Sequence, residues 1–207
     1  MFSKFLSLDE AKQKRILNAA IKMYVQKGYD LASTNEIVKE AGISKGLLFH
    51  YFQNKKMLYL FVFDHCMELV MNDFYKKVDM QIPDFFERLR EITRVKMELL
   101  NMYPNIFRFF EKAYLEDASD VRAEFQEKLK KFSESSSDQL FANLDISKFK
   151  DGLDIQKAIK SVIWTFEGFS AEVLAKAKAM QLDKPDYNEA FREADDYIEM
   201  FRGSFYK

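Results

Sequence analysis

Six glycines and three prolines in 207 residues leave this chain almost without helix breakers. Sheet sandwiches and barrels need a turn roughly every 8–12 residues, and Gly and Pro supply most such turns. The scarcity therefore selects long helices, and hydrophobic residues at 48% provide the apolar faces those helices must bury. The expected fold class is all-α. Only Cys66 is present, which excludes a disulfide framework and suits a reducing cytoplasm. No run of 18 apolar residues offers a membrane span, and the start MFSKFLSLDEAKQK turns charged too soon for a signal peptide, so a cytoplasmic protein without a membrane partner is expected.

Local signals set about nine helices. Ser7-Leu8-Asp9-Glu10 has the form of a capping box, and Ile16, Ala20, Met23 and Tyr24 recur at helical spacing behind it, so a first helix is expected over 8–27, closed by Gly28. Ser33-Thr34-Asn35-Glu36 opens a short helix that ends before Gly42. Ser44 caps another over 45–52, and Asn54 caps a long one over 55–78. Helical patterns then occupy 83–102, 105–116, 119–143, 154–180 and 186–205.

Charge divides the chain differently from its near-neutral total. Residues 1–60 hold ten Lys and Arg against five Asp and Glu, while the remainder holds 22 against 28. A basic head on an acidic body is the footprint of a polyanion-binding module. Within that head, two short helices joined by Ala41-Gly42-Ile43-Ser44 form a helix-turn-helix pattern. On a helical wheel Lys45, Gly46, Phe49 and His50 fall outward, and Leu47, Leu48, Tyr51 and Phe52 fall inward. Such an outer face does little for stability and suits a major groove. Gly inside a helix costs about 0.8–1 kcal/mol relative to Ala; Gly46 either relieves crowding against a neighbouring helix or lets the backbone approach DNA. Lys55 and Lys56 oppose the dipole at the start of their helix, a conflict that a DNA phosphate removes and that solvation also tolerates.

The stretch AAIKMYVQKGYDLASTNEIVKEAGISKGLLFHYFQNKKMLY (19–59) resembles the DNA-binding head of the tetracycline-repressor (TetR) family. The matching features are Gly28-Tyr29 after the first helix, Ser33-Thr34 opening the second, the turn Ala41-Gly42-Ile43-Ser44-Lys45-Gly46, and His50-Tyr51-Phe52 with Asn54-Lys55 closing the third. The resemblance implies a three-helix DNA-binding domain over 1–54 and a helical ligand-binding and dimerisation domain over 55–207. It implies backbone contacts from Ser33, Thr34, Tyr51 and Lys55 beside the cap Ser44, and base-edge contacts from Lys45, Gly46 and Phe49, with Asn35 and His50 as further readers. The family often has Tyr where this chain has Phe49, which leaves an apolar contact there, such as one to a thymine methyl.

The body carries no catalytic motif: GxSxG, P-loop, HExxH and GxGxxG are all missing from the sequence. His65 and Cys66 are adjacent and diverge by about 100° on a helix, so neither a metal site nor a cofactor is expected. Large rings and flexible Met side chains do accumulate. Met97, Phe107, Phe110, Tyr114 and Trp164 are the candidate lining of an apolar cavity for a small apolar or aromatic effector. Glu111 and Glu167 either select a cationic ligand there or lie on exposed faces. In the last two helices Phe166, Phe169, Val173, Phe191, Ile198 and Phe201 form stripes that suit an isologous homodimer interface. The expected function is a regulator, of the repressor type, bound to double-stranded operator DNA and released by the effector. A soluble sensor or carrier without specific DNA binding, and a regulator without an inducer, remain open at this point.

Overall fold

The computed structural model describes residues 2–116, 119–180 and 186–207. Ten helices are described: α1 (Ser3–Leu6), α2 (Glu10–Leu31), α3 (Thr34–Ala41), α4 (Lys45–Phe52), α5 (Lys55–Lys77), α6 (Phe85–Met102), α7 (Pro104–Tyr114), α8 (Ser119–Leu140), α9 (Ile155–Ala179) and α10 (Tyr187–Phe205). Among the described residues there is no strand, only an isolated bridge between Phe149 and Tyr206. The all-α expectation holds, with one helix more than expected. That helix, α1, overturns the capping box at Ser7. The Ser7 hydroxyl donates back to the Lys4 carbonyl at 3.1 Å, at the end of α1, and Asp9 caps α2 by accepting the Lys12 N–H at 2.8 Å.

The chain packs into two compact units, one of Met1–Asp73 with Met102–Glu134, the other of Phe74–Asn101 with Ser135–Lys207. In the first, Ile16, Ala20 and Tyr24 of α2, Ile37 of α3, Leu48 and Phe52 of α4 and Leu58, Tyr59 and Val62 of α5 share one core. Phe109 and Ala113 of α7 and Val121 and Phe125 of α8 complete it. Phe109 sits 5.5 Å from the Tyr59 ring and 6.0 Å from the Tyr24 ring. Residues 1–54 thus do not pack alone. Phe5 of α1 lies 4.8 Å from Phe52 and 5.2 Å from Phe61, so this short helix pads the inner side of α4. Cys66 is enclosed in the same core, where burial pushes its thiol up to about 12, and His65 stacks on Phe61.

The second unit is centred on Phe85, Phe86, Leu89, Phe149, Ala158, Val162, Ile198 and Tyr206. Two buried polar side chains organise it. Asp84 caps α6 by accepting the N–H groups of Phe86 at 3.0 Å and Glu87 at 3.1 Å. It also receives the Lys148 ammonium at 2.7 Å and the Tyr206 hydroxyl at 3.2 Å. Arg88 donates to the Ile82 carbonyl at 2.7 Å and the Leu140 carbonyl at 3.0 Å. Burial alone would raise the Asp84 pKa. The hydrogen bonds from Lys148, Glu87 N–H and Tyr206, together with the Lys148 charge, outweigh it and hold the carboxyl below its ordinary value. A carboxylate depressed in the folded state stabilises the fold above its unfolded pKa, and that contribution disappears as pH falls through the folded value. Asp84→Ala should therefore cost about 1–3 kcal/mol at neutral pH, measured by urea denaturation. The gap between wild type and variant should close as pH falls below about 4.

Candidate DNA-binding surface

Local chemistry builds the helix-turn-helix. Ser33 caps α3 by accepting the Asn35 N–H at 3.3 Å, and Gly42 ends that helix in the left-handed region, φ 64°. Ser44, its hydroxyl 3.2 Å from the Leu47 N–H, then starts α4 at Lys45. Gly42 is needed at the turn because side chains are strained at that φ. The Arg15 guanidinium donates to the Ala41 carbonyl at 2.8 Å, which ties the end of α3 to α2.

On α4, Leu48, Tyr51 and Phe52 face the core, and Lys45, Gly46 and His50 face outward, with Phe49 half-buried. Leu47, expected inside, is 39% exposed. It lies on the first turn of the eight-residue α4, with less of the helix's length to cover it than Leu48, Tyr51 and Phe52 have. The outer surface of α4 thus carries a leucine beside Lys45, Gly46 and His50, a further apolar group of the kind that can contact a thymine methyl. Lys45 has no carboxylate partner among the described residues; its ammonium lies 5.8 Å from the Phe49 ring. The acids of α3 are neutralised from α2, Glu36 by Lys27 at 2.6 Å and Glu40 by Lys22 at 2.7 Å, so they do not offset Lys45.

Gly46 separates the two explanations given for it. A Cβ built there would meet nothing closer than the Ser44 hydroxyl at 4.0 Å, and its φ is not in the left-handed region. Crowding within the chain does not require this glycine. Ser33 and Thr34 are half-buried at the α3 start and Asn35 is exposed, while Tyr51 is buried with its ring 6.2 Å from Phe5.

Lys55 is already engaged. Its ammonium donates to the Asp30 carbonyl at 2.9 Å and stands 4.7 Å from the Tyr29 ring. Tyr29 follows Gly28, whose φ of 69° breaks α2, and the Tyr29 N–H freed by that break is accepted by the Glu116 carboxylate at 2.7 Å. Lys55 is therefore held against the corner that leads into α3, with donors left for a phosphate. Lys56 instead pairs with Glu124 of α8 at 2.5 Å, which accounts for it without DNA.

The other expected residues fall as follows. Phe107 and Phe110 meet edge-to-face at 5.8 Å in the first unit, and Phe110 also meets Phe63 at 5.6 Å. Glu111 is half-buried beside them and Tyr114 is exposed. In the second unit Met97 is half-buried, and Trp164 is 61% exposed under the Lys160 ammonium, with Glu167 also exposed. Phe166, Phe169, Val173, Phe191 and Phe201 are half-buried, and Ile198 is 1% exposed inside its own core. No helix of the described residues is long and apolar enough to cross a membrane.

Fold and surface together define a helix-turn-helix DNA-binding protein. Residues 16–61 match the family model described as bacterial regulatory proteins, tetR family. An uncharacterised HTH-type transcriptional regulator of Bacillus subtilis, YuxN, is 47% identical over 49 residues, 24% of this chain and 17% of that protein. The fatty acid metabolism regulator protein of Bacillus subtilis is 23% identical over 164 residues, 75% of this chain and 82% of that protein. The crystal structure of Bacillus subtilis FadR in complex with stearoyl-CoA shares the fold, with a TM-score of 0.62 and 18% identity over 90% of this chain and 96% of that one. Residues 16–61 thus carry a DNA-binding domain of the kind found in the tetR family of bacterial regulatory proteins, and the chain as a whole shares its fold with FadR.

Gly46→Ala should separate folding from DNA contact. With open space at the Cβ, the substitution should raise stability by up to about 1 kcal/mol in urea denaturation while weakening binding to the preferred DNA site. Unchanged affinity would place the DNA away from this turn. Lys55→Ala should lower the slope of log affinity against log salt by about 0.9, alike on specific and random DNA; an unchanged slope would leave Lys55 with only its Asp30 and Tyr29 contacts.

Proposed function

We propose that this regulator is a cytoplasmic repressor that binds a pseudo-palindromic operator in double-stranded DNA as a homodimer, and that a small ligand with an apolar or aromatic body releases it. The observation that carries the DNA-binding part is Gly46. A helix-weakening residue with empty space around it stands beside an unpaired lysine on the outer side of α4. Dimerisation is supported by α9 and α10, where Phe166, Phe169, Val173, Phe191 and Phe201 keep apolar surface and Trp164 and Met200 are 61% and 53% exposed. Ile198 serves the unit's own core instead. An apolar ligand is supported by the half-buried Met97, Phe107 and Phe110, and by the acyl ligand and fatty-acid role in the names of two relatives. A short recognition helix reads only a few base pairs, so two heads are needed for a specific site.

Release requires a coupling free energy. A hundredfold loss of operator affinity corresponds to about 2.7 kcal/mol, and linkage makes it reciprocal. Titration calorimetry with stearoyl-CoA as probe, with and without DNA from the flank of the protein's own gene, tests this. The expected result is that the DNA weakens stearoyl-CoA binding by the factor with which stearoyl-CoA weakens DNA binding. Equal ligand affinities in both titrations would reject release by this ligand. Absence of any retarded complex at low salt would reject the regulator itself and favour a carrier or sensor.

A further inference from the structure

Leu47 stands beside Gly46 on the outer side of α4. A lone exposed leucine is ordinary on a protein surface, but this one borders the open place that Gly46 leaves. At about 100° per residue, Leu47 lies about 100° from Gly46 on one side and Phe49 about 60° from it on the other. Side chains of a helix lean toward its N-terminus, so Phe49 and His50, three and four residues on, incline toward Gly46. Even so, a Cβ at Gly46 would meet only the Ser44 hydroxyl, at 4.0 Å. The result is a shallow notch with bare backbone as its floor, flanked by the half-buried Phe49 and the exposed Leu47.

The chemistry of this notch selects among the groups that DNA brings to it. A phosphate calls for donors and cations, and both flanking side chains are apolar. Among the groups that distinguish bases in the major groove, the C5-methyl of thymine is the apolar one. The rest of the outer face fits a neighbouring base. Lys45, whose ammonium lies 5.8 Å from the Phe49 ring, matches the two acceptors of a guanine edge. The exposed residues of α4 are Lys45, Gly46, Leu47 and His50. This helix therefore presents no carboxylate to the cytosine amino group and no amide for two-point pairing with adenine.

We propose that Leu47 is a base-reading residue: with Phe49 it holds a thymine methyl over the bare backbone of Gly46. Each operator half-site then carries that thymine next to a guanine read by Lys45. The proposal rests on α4 as the helix that enters the major groove, and it names the base feature this helix reads. It also gives Gly46 its use, since a Cβ there would occupy the space that the methyl needs.

Replacing thymine by deoxyuridine removes the methyl and leaves every hydrogen-bonding group in place, so it isolates this contact. The full chain first selects its preferred duplexes from a random-sequence pool. Single thymines of the selected site are then replaced by deoxyuridine, and affinities are measured by fluorescence anisotropy. In wild type one thymine in each half-site, next to a guanine, should be sensitive, each replacement weakening binding about fourfold. Leu47→Ala should bind the thymine duplex more weakly than wild type does and respond to that replacement by less than about twofold. Gly46→Ala, which fills the notch, should lose the same sensitivity, and Leu47→Met should keep it. A leucine that only placed α4 would, on truncation, lower affinity for thymine and deoxyuridine duplexes alike and leave the sensitivity intact. That result, or a selected site without any methyl-sensitive thymine, would overturn the proposal while leaving α4 as a DNA-binding helix. Should Leu47→Ala fail to fold, Leu47→Gln is read by the same criterion. A wild-type chain that selects no duplex even at low salt would refute the DNA-reading role of α4 itself, and the notch with it.

Discussion

The backbone at Gly28 sets the geometry of the DNA-binding head. With φ 69° and ψ −176° it stops α2 in a conformation closed to side chains, and a Cβ there would also stand 3.3 Å from the Glu116 carboxylate. The break turns the chain toward α3 and exposes the Tyr29 N–H, which Glu116 accepts. Tyr29 then lies 5.0 Å from the Tyr59 ring and under the Lys55 ammonium, so the start of α5 is fixed to the same corner. Ser33 can cap α3 only because this corner delivers the chain to it. The helix-turn-helix thus inherits its placement from a glycine and from a carboxylate that lies 87 residues away in the chain.

That dependence explains why the first unit includes α7 and α8. The head offers Tyr24, Tyr59 and Phe63 as an unfinished apolar surface, and Phe109 and Phe125 finish it, Phe125 at 4.7 Å from Phe63. Lys56–Glu124 and Lys128–Asp64 add ion pairs at the rim, worth little individually because they are partly solvated. The functional consequence comes from Glu116, which lies just beyond the end of α7. Moving α7 strips the acceptor from the Tyr29 N–H and loosens the residue that holds Lys55. A part of the chain outside the DNA-binding motif is therefore coupled by one hydrogen bond to a candidate phosphate contact.

The legible parts of this molecule were those decided within a few residues. Gly42, Ser44 and Asn54 act locally, and the boundaries of α4 and the start of α5 follow from them. Four residues of α1 are too few to show periodicity, so Ser7 looked like the start of the next helix. A wheel assigns Leu47 by angle alone, whereas exposure depends on how far the neighbouring helices extend. Phe109 and Phe110 carry no mark in the sequence that separates core of the head from lining of a cavity, because that depends on partners distant in the chain.

Gly46 is set apart by what the fold withholds from it. Other unusual residues have their demands met inside the chain: Gly28 by its turn and Glu116, Asp84 by four donors, Arg88 by backbone carbonyls, Lys56 by Glu124. Each can be explained by stability alone. Gly46 weakens its helix with nothing nearby to require it. A protein only about 5–15 kcal/mol stable carries such costs most readily where a partner from outside offsets them. For Gly46 that partner must approach the backbone of an exposed helix beside a free lysine, which describes a polyanion.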